Sequence, residues 1–135
     1  MVRSLPESTT AGEELAKKLP DALVVKAFST IPASFIPHAF YRPVQLQRLV
    51  VFYCGDHLLS KVAVHQLIAD SGFVGLDAGP LRLARELEAA GRLHRAGLVG
   101  ITEARRLLKN IADSVQNGSL DFCVSDQPAF AARRS

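Results

Sequence analysis

The sequence predicts one α/β domain, and three observations carry that prediction. Short apolar runs rich in β-branched residues, at 22–28, 49–54 and 73–77, alternate with stretches whose apolar residues recur at helical spacing. A length of 135 residues fits a single domain. The composition, 48% hydrophobic and 21% charged, is that of a folded globule and excludes a long disordered chain.

Residues 1–9 are polar, include Pro6, and read as a lead-in. Thr10 and Glu13 have capping-box spacing, in which the hydroxyl accepts from the Glu13 amide and the carboxylate accepts from the Thr10 amide. The helix so started has Leu15, Ala16 and Leu19 as its apolar face, places Lys17 and Lys18 at its negative end, and stops at Pro20. The run 22–28 has no strict alternation, which suits a strand covered on both faces, and it hands over to the small, polar turn Ser29-Thr30-Ile31-Pro32. Residues 33–47 hold Pro37 and Pro43 among Phe35, Phe40 and Tyr41 without a sustained period, predicting a long loop with one helical turn.

Residues 49–54 predict a second buried strand. Gly55-Asp56 is its turn, with Asp56 as N-cap of a helix that reaches Asp70 and buries a stripe of Leu58, Leu59, Val62, Leu67 and Ile68 before Gly72 stops it. Residues 73–77 predict a third strand, and Ala78-Gly79-Pro80 turns the chain into a helix over 81–95 with Leu83, Leu87 and Ala90 along one side. Thr102 predicts the cap of a last helix in which Ala104, Leu107, Leu108, Ile111 and Val115 recur, stopped by Asn117-Gly118. Residues 119–135 show no period and predict a loosely held tail.

Sixteen basic against thirteen acidic residues leave +3, scattered along the chain, which argues against a nucleic-acid partner. No apolar run approaches the roughly 18 to 20 residues of a membrane span, and the first residues have no signal-peptide core, so the chain reads as cytoplasmic, with no membrane partner. Cys54 and Cys123 lie in unlike contexts and indicate neither a disulfide framework nor a metal site. His38, His57, His65 and His94 never fall at the i, i+4 spacing of a helical metal pair.

The chain contains no G-x-G-x-x-G, no G-x-x-x-x-G-K-[ST] and no G-x-S-x-G, so the usual phosphate cradles and the nucleophile elbow are missing from these 135 residues. His65 reads as a surface or half-buried helix histidine rather than a proton donor. Asp77 either orients a ligand or caps its own turn. The remaining candidate is the crevice at the carboxyl ends of the strands, made by Ser29-Thr30-Ile31-Pro32 and Ala78-Gly79-Pro80-Leu81, where open α/β sheets bind ligands. Gly79 permits close approach of a flat ring, and Pro80 suits the first turn of a helix. A pair of tight turns without a ligand is the other reading of the same residues.

The strings AGEELAKKLP from residue 11, VVKAFSTIPA from residue 24, CGD from residue 54, GF at 72–73, DAGPL from residue 77 and ARELE from residue 84 stand in an order that resembles the NADPH-dependent 8-hydroxy-5-deazaflavin oxidoreductases. The cytosolic domains of the six-transmembrane metalloreductases look similar too. The likeness runs from about residue 8 to about residue 95 and ends there.

The resemblance implies a partial Rossmann-like sheet of about three strands flanked by about four helices. Residues 1–96 would be the C-terminal half of a dinucleotide-binding oxidoreductase domain, 97–118 a helical extension and 119–135 the tail. The implied cofactors are NADP and an 8-hydroxy-5-deazaflavin or flavin, with a hydride passing directly between the two rings, so that the protein positions and supplies no catalytic side chain. Ser29, Thr30, Ile31 and Pro32 would lie near the nicotinamide and the acceptor ring, with Gly79 and Pro80 lining the neighbouring turn. The family carries Asn or His where this chain has Ser29. Family members begin with a strand, a glycine-rich turn and basic residues for the 2′-phosphate, and this chain starts after them. The expectation is a truncated or divergent oxidoreductase, inactive alone, completed by the missing N-terminal half or by homo-oligomerisation across an exposed sheet edge. Two alternatives stand beside it: a non-enzymatic dimerising or protein-interaction domain that uses the sheet edge and the last helix, and a ligand-binding module without chemistry.

Overall fold

The computed structural model describes residues 8–41 and 48–117. They form a mixed α/β unit in which α1 (Ala11–Lys18), β1 (Val25–Ala27), β2 (Val50–Gly55), α2 (Leu58–Asp70), β3 (Val74–Gly79), α3 (Ala84–Leu87), α4 (Arg92–Ala96) and α5 (Ile101–Gln116) follow in order. This is the α/β, partial Rossmann-like class that the sequence predicts.

The capping box is present with both of its bonds: Glu13 N donates to Thr10 Oγ1 at 3.1 Å and Thr10 N to the Glu13 carboxylate at 2.9 Å. Of the predicted apolar face of α1, Ala16 packs against the core and the two leucines do not. Leu15 and Leu19 are exposed, and Gly12 lies inside, so close to Leu81 that a Cβ there would stand 3.1 Å from Leu81 Cδ1.

The sheet runs β1-β2-β3. β2 is its centre, with every residue buried, and its side chains alternate between two apolar clusters. Val50, Phe52 and Cys54 face a cluster with Leu81, Ala84, Leu87, Leu93, Ala104, Leu108 and Ile111; Val51 and Tyr53 face one with Ile31, Ile68 and Phe73. One face is therefore covered by α3 to α5 and the other by α2. β2 and β3 pair in parallel through the α2 crossover, with a bulge after Tyr53 that sets Cys54 opposite Gly79.

β1 departs from the predicted doubly covered strand. It pairs antiparallel with β2, Ala27 opposite Tyr53, and it is short because Phe28 takes φ 63 and ends the extended run. The expected loop over 33–47 contains a 3₁₀ helix over Ala33–Tyr41; residues 42–47 lie outside the described residues.

Three helix expectations are corrected. His57, not Asp56, occupies the N-cap of α2, with no side-chain bond to the helix. The helix predicted over 81–95 is broken into a 3₁₀ turn, α3 and α4, because Ala90 takes φ 73 and Gly91 passes so close to the main chain of Arg85 and Glu86 that no Cβ fits. The last helix is capped by Gly100 rather than Thr102, and its Ala104, Leu108 and Ile111 are buried in the central core. That apolar face is used internally and is not a free docking surface. The predicted tail over 119–135 lies outside the described residues.

Candidate functional site

The antiparallel pairing of β1 separates the two strand ends that the sequence places in one crevice. Beyond Ala27 the chain runs toward the amino-terminal ends of β2 and β3, where Ile31 is buried with Val51, Ile68 and Phe73. Gly79 and Pro80 follow the carboxyl end of β3, and Leu81 is buried there with Cys54. Ser29-Thr30-Ile31-Pro32 and Gly79-Pro80 therefore occupy opposite ends of the sheet.

The Gly79 end is tied together by paired groups. Asp77 caps its own turn, its Oδ1 accepting from Gly79 N at 2.8 Å, and its Oδ2 pairs with Lys61 Nζ at 2.8 Å. The buried Lys61 ammonium also donates to the Gly79 carbonyl at 3.2 Å. Asp56 accepts from Leu81 N at 2.9 Å, which ties the turn after β2 to the turn after β3. Glu88 accepts from Ala11 N at 3.0 Å and pairs with Lys26 at 3.5 Å, joining α1, β1 and the end of α3. Burial pushes the Cys54 thiol up to about 12, so it stays protonated and is no nucleophile. Every polar group named here is satisfied by the protein, and the arrangement braces the sheet.

The Ser29 end differs. Phe28 holds its left-handed backbone with its ring edge-on to Phe73, centroids 6.1 Å apart. Ser29 Oγ and Thr30 Oγ1 are both shielded from solvent and have no hydrogen-bond partner among the described residues, Thr30 being only 6% exposed. Ile31 anchors the turn in the core, Pro32 is exposed, and the 3₁₀ helix follows with Phe35 and Ile36 partly exposed. Buried polar groups are almost always paired, and backbone strain concentrates at sites of function; two orphaned hydroxyls after a strained residue combine both features.

Next to this turn is a pair that sequence reasoning missed. Tyr53 Oη and His65 Nδ1 lie 3.1 Å apart with the rings edge to face, and Gly75 makes the approach possible, since a Cβ on it would stand 2.8 Å from Nδ1. Tyr53 shares its cluster with Ile31. His65 is otherwise exposed, as expected. Among the described residues no group of three or more His, Cys, Asp or Glu could hold a metal ion, and no helix is long and apolar enough to cross a membrane.

The Ser29 end thus sets two unpartnered hydroxyls beside apolar Phe28 and Ile31. The unit is thus a partial Rossmann-like sheet with one strained, hydroxyl-bearing strand end. No family profile matches the chain. Residues of the chain are 42% identical over 77 positions to the metalloreductase STEAP3 of Rattus norvegicus, which covers 57% of this chain and 15% of that protein. Two solved structures share the fold: a hypothetical protein from Sinorhizobium meliloti (28% identity, TM-score 0.56, 66% of this chain and 42% of that one) and a protein assigned as an F420-dependent NADP-reductase from Arthrobacter sp. FB24 (27% identity, TM-score 0.52, 67% and 39%). The chain spans well under half the length of each. Weak sequence homology to a metalloreductase and structural similarity to NADP-reductase-like proteins therefore agree on a reductase-like relationship.

Proposed function

We propose that this chain is the acceptor-side portion of an NADP-linked oxidoreductase, with Ser29, Thr30 and Pro32 holding the nicotinamide and its acceptor ring, and Ile31 fixing the turn from beneath. The observation that carries this reading is the pair of orphaned hydroxyls at Ser29 and Thr30 behind the strained Phe28. When bound, a reduced nicotinamide there supplies a hydride to a deazaflavin or flavin stacked on it. The chain's own part is positional: the hydroxyls accept from and donate to the carboxamide, and Phe28 and Ile31 offer the ring an apolar floor. Gly79 and Pro80 support this arrangement from the far end of the sheet, through the Lys61–Asp77 pair, rather than by touching a ring.

The 135 residues hold no glycine-rich cradle for a pyrophosphate, so affinity for the whole dinucleotide is weak unless another segment supplies one. The outer edge of β1, which among the described residues pairs on one side only, is where such a segment adds to the sheet. A homo-oligomer is the second way to complete the site.

Thr30→Val tests the reading. Replacing an unpaired buried hydroxyl by a methyl of the same shape is expected to leave stability unchanged or raise it by up to about 1 kcal/mol, while removing saturation transfer to the protons of reduced nicotinamide mononucleotide. A destabilisation of more than about 1 kcal/mol means that the hydroxyl has a structural partner, and undiminished transfer means that it has no role in binding; either result overturns the proposal.

A further inference from the structure

The outward face of α2 is apolar where solvent-facing helices are polar. Leu59 is 81% exposed, Leu67 60%, Val62 57% and Leu58 56%, while the face turned to the sheet is carried by Lys61, Val64 and Ile68. Leu59, Val62, Ala63, Gln66, Ala69 and Asp70 recur at the three- and four-residue spacing of one helical stripe, and no charge interrupts it before Asp70. A contiguous exposed apolar stripe marks an interaction surface.

The ends of the helix say which partner fits. The first turn has no acidic residue and no side-chain cap, and the last turn has no basic residue and carries Asp70 instead, held by Gln66 Nε2 at 2.8 Å. Each end thus lacks the charge that its own dipole favours. An antiparallel copy of the same helix supplies what is missing at both ends at once. With a two-fold axis on the outward face, midway between Val62 and Gln66, Leu59 meets the partner's small Ala69, Val62 meets the partner's Gln66, and Asp70 meets the uncapped amide end at the partner's Leu58. Such a contact is self-complementary and closes at two copies.

We propose that α2 is the two-fold interface through which two copies of this chain associate, in antiparallel helix packing centred on Val62 and Gln66. This does not depend on the nucleotide reading above and is tested without a ligand. One helix of 13 residues is about 20 Å long, which sets the contact at the small end of stable interfaces and the dissociation constant at roughly 1 to 100 µM.

Sedimentation velocity on the full chain over about 1 to 300 µM reads the equilibrium directly. The expected result is a monomer–dimer equilibrium that Leu59→Glu weakens roughly tenfold or more, Asp70→Lys weakens about threefold, and Leu19→Glu, an equally apolar-to-acidic change at the exposed C-cap of α1, leaves unaltered. Far-UV circular dichroism confirms that each variant is folded, and Asp70→Lys decides the matter if Leu59→Glu is not. A monomer throughout the range, assembly beyond the dimer, a dimer indifferent to Leu59→Glu, or equal loss with Leu19→Glu overturns the proposal.

Discussion

Glu86 is buried with its carboxylate wrapped by a single arginine: Arg92 donates to it from its main-chain N at 3.0 Å, from Nε at 3.0 Å and from Nη2 at 2.8 Å. Desolvation pushes the Glu86 pKa up, but the bonds and charge of Arg92 outweigh it and hold the carboxyl below its ordinary 4.5. A depressed folded-state pKa stabilises the native state at pH values above the unfolded one and loses that contribution as pH falls through the folded one. Glu86→Gln is therefore expected to cost about 1 to 2 kcal/mol at pH 7, with the gap to the unmutated chain narrowing below pH 4.5 in urea titrations. A gap that is constant with pH contradicts this assignment. Single residues were legible in the sequence where their partners are local: the Thr10–Glu13 box and the Asp77 turn cap each close within three residues. Asp56 was misread as a helix cap because its true partner, Leu81 N, is 25 positions away, and Lys61 gave no sign of burial because Asp77 is distant in sequence.

At the scale of elements, the boundaries fail where the backbone does something that an apolar period cannot express. The pattern of Leu83, Leu87 and Ala90 reads as one helix, yet a left-handed Ala90 followed by a tightly packed Gly91 bends the chain, and Gly91 N closes the turn onto Glu88 O at 2.8 Å. Ala90→Gly relieves the strained φ and is expected to stabilise by about 0.5 to 1 kcal/mol, whereas Gly91→Ala forces a Cβ into the main chain and is expected to destabilise by more than about 2 kcal/mol, both read from thermal unfolding. Equal effects of the two changes would contradict the turn geometry. In α2 the existence and span of the helix were plain from sequence, but the buried face was not: apolar side chains stand on both sides, and only the sheet decides that Ile68 goes in and Leu59 stays out. The direction of β1 was equally hidden, because the apolar run 22–28 carries no mark of parallel or antiparallel pairing, and that direction is what splits the expected crevice in two.

For the molecule as a whole, the strand–helix alternation made the fold class readable, and the order of short motifs made the reductase-like relationship readable before any geometry was known. The geometry divides labour between the sheet ends: a braced end at Gly79 and Pro80, and a strained end at Ser29 and Thr30 with polar capacity to spare. On the proposed function the strained end receives the nicotinamide half of a dinucleotide, and the 135 residues hold no glycine-rich motif to cradle its phosphates. Ligand-observed NMR with NADPH at millimolar concentration tests both parts in one spectrum, since saturation transferred from the protein maps which ring is in contact at weak affinity. Transfer to the nicotinamide protons is expected well above that to the adenine protons, with a dissociation constant of about 1 mM or weaker. Transfer centred on the adenine, or binding at micromolar affinity with both rings equally marked, would contradict it.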